Sequence, residues 1–226
     1  GNAMHETLEW LHIIVRKDGL LPSTQALEKA YEKRLSDKRM SKRYYTHYLE
    51  RGLAALQAYV AQRAQTIAAD NIVEYNFRNE GVFIGKAHLT GKIDKMIVDR
   101  KQKTITIIDY KTGRKSYTTW KREAKLHKYK LQLYIYRALI EGSHTYAGYK
   151  VTDAFLEFVE PDETGAIQQL HLIFDDNEYA HIKHLVEVVW ERIQLIDLPD
   201  ISSYSPDLNG ILAFEKYLLD EWATLQ

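Results

Sequence analysis

The stretch Thr90–Gly113, TGKIDKMIVDRKQKTITIIDYKTG, sets two apolar runs on either side of the polar DRKQKT. Short β-branched runs around a polar turn predict a hairpin. Closing it with Asp99 opposite Thr104 leaves a four-residue loop, and brings Met96 opposite Ile107 and Asp94 opposite Asp109. Strand alternation places Ile105, Ile107, Asp109 and Lys111 on one face, with Ile108 and Tyr110 on the other. The first face is apolar near the turn and carries Asp94, Asp109 and Lys111 at its open end. Lys92 falls opposite Lys111, and like charges there predict that the strands part at this end.

Two ionised carboxylates facing each other across about 5 Å repel, and burial beside apolar side chains raises the cost. Lys111 supplies one compensating charge. A divalent cation bridging both carboxylates would compensate more fully and suits hard oxygen donors. The competing reading is a solvated hairpin end with Lys111 in a surface ion pair; on the hairpin alone both stand.

Composition narrows the field. A chain of 226 residues can bury a real core as one domain. Lys+Arg and Asp+Glu number 31 each, so the formal net charge is +0 and any nucleic-acid contact must come from a local patch. The absence of cysteine excludes disulfides, thiolate metal sites, cysteine nucleophiles and iron–sulfur clusters, and fits a reduced cytoplasm. No apolar run reaches the length of a membrane span, and the N-terminus lacks a signal-peptide layout, so a protein without membrane partners is expected.

Outward from the hairpin, Met4, Leu8, Leu11 and Val15 form one helical stripe with His5, Glu9 and His12 along its flank. Ser23 is positioned to cap a helix to about Leu35, and Ser41 one to about Ala69. The segments IVEYNFRN and GVFIGKAHLTG predict strands ahead of the hairpin; Glu74 in the first faces either the acidic end or the strand surface. A helix from about Glu123 to Glu141, two strands in VTDAFLEFVEP and IQQLHLIF joined at DETG, a helix from Asp175 or Asp176 to about Ile196, and a last helix ending near Trp222 complete the chain. The pattern predicts an α/β or α+β fold with helices flanking one mixed sheet. Residues 1–70 form its helical part, 71–175 the sheet and candidate catalytic core, and 176–226 the C-terminal helices.

Gln132 and Tyr136 lie four apart and share a helix face that Lys128 extends. Between Lys111 and Lys130 the sequence KTGRKSYTTWKREAKLHKYK interleaves basic residues with Tyr117, Trp120 and Tyr129. Such a strip can track phosphates and offer stacking faces to unpaired bases, or can simply be a solvated loop and helix face.

GKID at Gly91–Asp94, IIDYKTG at Ile107–Gly113 and QLYIY at Gln132–Tyr136, in this order, resemble the RecB-like branch of the PD-(D/E)XK nuclease superfamily. The opening GNAMHETLE resembles that branch's first motif, with His5 at the metal-binding histidine; Gly1–Ala3 is either native or the remnant of a tag. The resemblance spans roughly residues 5–136. It implies a restriction-endonuclease-like core with an N-terminal helical insertion. It further implies Mg²⁺ or Mn²⁺ held by His5, Asp94, Asp109 and the Tyr110 backbone carbonyl, with Lys111 orienting the attacking water or stabilising charge on the phosphate. Asp94, Asp109, Lys111, Gln132 and Tyr136 would be the catalytic set, Gln132 supporting the motif residues and Tyr136 lying near the DNA. Glu9 could be a ligand, a partner of one, or merely solvated.

In the same reading Arg114, Lys115, Trp120, Lys121, Arg122 and Lys128 would contact DNA, either single strands or duplex ends. Many members carry four cysteines for an iron–sulfur cluster, and this chain has none. Its overall look resembles the nuclease domain at the C-terminus of UvrD/Rep-type helicases. It contains no Walker A sequence, so a helicase motor would reside elsewhere in the polypeptide or on a partner. The expected activity is an exonuclease acting in recombination or repair. The alternatives are a non-catalytic DNA-binding or helicase-bracing module and a structure-specific endonuclease.

Overall fold

The computed structural model describes residues 1–113 and 116–225. Three helices lead the chain: α1 (Asn2–Asp18), α2 (Thr24–Ser36) and α3 (Lys42–Arg63). Strands β1 (Ile72–Asn76), β2 (Val82–Ile84), β3 (Ala87–Leu89), β4 (Lys92–Asp99) and β5 (Thr104–Lys111) follow. Then come α4 (Ala124–Glu141), β6 (Lys150–Phe158), β7 (Gln169–Ile173), α5 (Asp176–Leu195) and α6 (Leu208–Leu225).

Five strands form a mixed sheet in the order β1-β4-β5-β6-β7, flanked by helices, and β2 pairs with β3 separately. The β4–β5 register is Asp99↔Thr104, Met96↔Ile107 and Lys95↔Ile108, as the turn chemistry predicts. Asp99 Oδ1 closes the loop by accepting the Lys101 and Gln102 N–H groups, both at 2.9 Å. The run GVFIGKAHL becomes this separate hairpin, paired Val82↔Leu89. Strand β5 returns to β6 through a helical crossover, and Val159 N–H donates to Lys111 O at 3.0 Å, joining their carboxyl ends in parallel.

The chain divides into two compact units. The first comprises residues 1–75, 93–119 and 154–171. Its core sets the α1 stripe of Met4, Leu8, Leu11 and Val15 against Ile108 and Tyr110 of β5, with Leu27, Tyr31, Leu56 and Tyr59 from α2 and α3. At Gly52 a Cβ would lie 2.1 Å from the Tyr31 hydroxyl, so this close approach of α2 and α3 admits no side chain. His12, expected on a polar flank, is instead buried. Ser23 caps α2 by accepting the Ala26 N–H at 3.2 Å. Ser41 stands at the start of α3 but its side chain makes no capping bond there. Helix α3 stops at Arg63, short of the expected Ala69, because the chain tightens into a 3₁₀ turn over Ala64–Thr66.

The second unit comprises residues 76–92, 120–153 and 172–226. Within it α5 packs on α6 and α4, and the β2–β3 hairpin packs on α5. Asp175 caps α5 by accepting the Glu178 N–H at 2.7 Å.

Candidate metal centre

Beyond the paired register of β4 and β5, Asp94 does not reach for solvent. Its Oδ2 accepts the backbone N–H of Tyr110 at 2.8 Å, so a side chain takes over a donor of the neighbouring strand where the two strands end. Asp94 is 9% exposed and Asp109 2%, which rejects the solvated hairpin end. Lys111 Nζ lies 2.5 Å from Asp109 Oδ2, an ion pair that is itself mostly shielded.

Helix α1 brings a third group. His5 Nδ1 lies 3.4 Å from Asp94 Oδ1, and its ring meets the Tyr110 ring edge-on with centroids 6.2 Å apart. Strand β1 brings a fourth. Glu74 has φ of +51, outside the region ordinary strand residues occupy. His5, Glu74 and Asp94 each offer a donor atom, and the three atoms lie within 4.8 Å of one another.

The electrostatics follow from this crowding. Burial pushes the Asp109 carboxyl up to about 6 even though Lys111 pulls it down, and the neighbouring Asp94 charge pushes the same way as burial. For His5, burial opposes the charged imidazole, but the hydrogen bond and charge of Asp94, joined by Glu74 and Asp109, outweigh it and raise the pKa. The pocket attracts positive charge. One imidazole nitrogen with carboxylate oxygens and no sulfur is a donor set that fits Mg²⁺ or Mn²⁺.

A family model for the PD-(D/E)XK nuclease superfamily matches residues 1–203. The chain belongs to that superfamily. A search of curated proteins found no match. The five-stranded mixed sheet flanked by helices is consistent with the restriction-endonuclease-like fold of such nucleases, and the superfamily's use of divalent metals agrees with the donor set.

The structure thus brings His5, Asp94, Asp109 and Lys111 together within the first unit, and adds Glu74, for which the sequence left two placements open. Glu9 is half-buried on α1. Gln132, Tyr136, Trp120, Lys121, Arg122 and Lys128 belong to the second unit. There Gln132 Nε2 donates to Tyr136 Oη at 2.7 Å, and Tyr136 is buried. Trp120, Lys121 and Arg122 line an open cavity of about 350 Å³ together with Leu126, His127 and Lys130. Two of its polar groups already have partners: His127 Nε2 lies 2.8 Å from Glu215 and Lys130 Nζ 2.9 Å from Glu178. Lys128 is exposed on α4. Arg114 and Lys115 lie outside the described residues.

Sequence reasoning missed a buried polar chain behind the site. His12 Nε2 lies 3.2 Å from Tyr110 Oη, which lies 3.4 Å from Tyr59 Oη, and Tyr59 donates to Glu157 Oε1 at 2.5 Å. Gln169 Nε2 donates to Glu157 Oε2. The available signal was Glu157 itself, a lone carboxylate in the apolar run AFLEFV, where a buried charge requires partners.

Proposed function

We propose that this chain is a metal-dependent deoxyribonuclease of the RecB-like branch, hydrolysing phosphodiester bonds as the exonuclease domain of a helicase-nuclease in DNA recombination or repair. The observation that supports it best is the convergence of His5, Glu74 and Asp94 beside the Asp109–Lys111 pair. A non-catalytic module gains nothing from carboxylates held this close, because their repulsion costs folding energy that a bound cation would recover.

In this reading His5, Glu74 and Asp94 would hold Mg²⁺ or Mn²⁺, with Asp109 and the Tyr110 carbonyl as further donors. The cation, when bound, withdraws charge from the scissile phosphate and acidifies water. The protein's own groups do the rest. Lys111, anchored against Asp109, would present its ammonium to a phosphate oxygen and to the oxygen of the attacking water; that oxygen adds to phosphorus as the opposite P–O bond breaks, the water's proton passing to solvent and the departing oxygen taking one from it. Gln132 and Tyr136 are assigned to support of the motif residues and to the DNA side. Trp120, Lys121, Arg122 and Lys128, with Arg114 and Lys115, are assigned to the nucleic acid, where aromatic stacking and phosphate contacts suit single strands or frayed ends. A cytoplasmic setting and a motor on the same polypeptide or a partner belong to the same proposal. Among the described residues no helix is long and apolar enough to cross a membrane.

The test is digestion of linear and circular DNA, single- and double-stranded, with Mg²⁺ or Mn²⁺, by wild type, Asp109→Ala and Lys111→Ala. Metal-dependent loss of linear DNA that stops in EDTA and in both variants is expected. Cleavage of circles would replace the exonuclease by an endonuclease. DNA binding without any cleavage, in wild type, would leave the binding module.

A further inference from the structure

Tyr110 touches more of the candidate centre than any role given to it so far. Its backbone N–H holds Asp94 Oδ2 at 2.8 Å, and its ring edge packs against His5. Its hydroxyl sits 3.2 Å from His12 Nε2 on the same helix α1 that carries His5, and 3.4 Å from Tyr59 Oη. One residue therefore meets two of the three donors directly, and ties the helix bearing one of them to strand β5 at a second point.

We propose that Tyr110 is the positioning residue of the metal centre: through its phenol, locked by His12 and Tyr59, it sets the depth and rotation of α1 and hence the placement of His5 relative to Asp94. This rests on the metal-site reading above, and it assigns a role to the side chain, distinct from any use of the backbone carbonyl.

The hydrogen-bond arithmetic supports a fixed rather than a sliding contact. Tyr59 has one hydroxyl proton, and the 2.5 Å bond to Glu157 takes it. Tyr110 must then donate to Tyr59, and His12 must donate from Nε2 to Tyr110. Every proton in the chain points toward the buried carboxylate of Glu157, so each hydroxyl has one satisfied orientation. His12 Nδ1 is left as a bare acceptor in the core, and is buried with no hydrogen-bond partner. A neutral Nε2–H imidazole tolerates that; the opposite tautomer would bury an unmet donor. The network thus selects one tautomer of His12 and one seating of α1. His5, two turns away on that helix, inherits the seating.

The experiment compares Mn²⁺ binding by calorimetry in wild type, Tyr110→Phe, His12→Leu and Tyr59→Phe, with the thermal midpoint of each apoprotein and the paramagnetic resonance spectrum of the bound Mn²⁺. Tyr110→Phe keeps the ring and the backbone N–H but cuts the tie to α1; His12→Leu cuts the same tie from the helix side. Both are expected to weaken Mn²⁺ by about 10-fold, the usual effect of losing a partner that orients a ligand, and to broaden the Mn²⁺ spectrum. Tyr59→Phe removes an equally buried hydroxyl but leaves the Tyr110–His12 tie to α1 in place, and is expected to cost comparable stability while weakening Mn²⁺ by clearly less than either. Wild-type affinity in both Tyr110→Phe and His12→Leu overturns the inference, as does affinity that merely follows stability across all three variants. Wild type that takes up no Mn²⁺ removes the metal-site reading itself, and the inference with it.

Discussion

Arg51 grips Glu160 through two bonds, Nε at 2.6 Å and Nη2 at 2.8 Å, and the same carboxylate accepts the Gly113 N–H at 2.8 Å. The pair joins α3 to the turn that follows Lys111. Both side chains are less than a third exposed, so the fork is shielded from solvent. Glu160→Gln is expected to lose on the order of 2 kcal/mol in urea denaturation, the scale of hydrogen bonds to charged groups. It should also lower turnover more than DNA affinity, since what it frees is the backbone next to Lys111. Unchanged turnover with reduced stability would restrict the clamp to folding.

Glu74→Gln separates a ligand from a bystander. If its carboxylate joins His5 and Asp94 on the cation, Mn²⁺ affinity falls by more than the ~10–100-fold that an outer partner costs. The apoprotein should be as stable as wild type or more so, because a crowded negative charge is removed. Calorimetry with a melting curve in EDTA reads both, and a wild-type Mn²⁺ affinity would exclude Glu74 from the centre.

Proton competition gives the centre a direction with pH. His5 and Asp109 both have raised pKa values, Asp109 to about 6, and each must shed its proton to donate to a cation. Mn²⁺ affinity should therefore rise from pH 5.5 to 7.5, with proton release on binding at the lower end. A flat affinity over that range would mean neither group meets the ion.

His12 predicts the acid limb of stability. Burial, with Lys95 and Arg16 adding to it, lowers its pKa from 6.5 to about 3, so the folded state refuses a proton that the unfolded chain accepts. This contribution is complete above pH 6.5 and is lost as pH falls toward 3, at about 1.4 kcal/mol per pH unit. Urea midpoints at pH 4.5, 5.5 and 7 should fall less steeply in His12→Leu than in wild type. Parallel curves would show that the imidazole charges without cost.

The β4–β5 hairpin was legible because turn length fixes register, and register fixes which side chains share a face. Asp94 and Asp109 came together for that reason. Cap and stripe signals located the helices: Ser23 and Asp175 bond where expected, and Met4, Leu8, Leu11 and Val15 line the core. What stayed hidden depends on contacts between segments distant in sequence. Nothing local distinguishes His12 from its half-buried neighbours His5 and Glu9 on the flank of α1; it is buried because Tyr110 and Tyr59 arrive from elsewhere. Glu74 resisted assignment for another reason. Strand alternation presumes ordinary backbone, and at φ of +51 the alternation rule no longer says which way the side chain goes.

The three donors come from a helix, a strand and a second strand that share no local sequence. A cation gripping all of them would work as a rivet, closing long loops of chain that the unfolded polypeptide leaves open. Thermal tolerance would then be a reading of free metal as much as of packing. At a hundredfold excess over the dissociation constant the gain is about 2.7 kcal/mol, available without any change in the protein core. Starved of cation, the same carboxylates would turn from anchor to wedge at the mouth of the sheet.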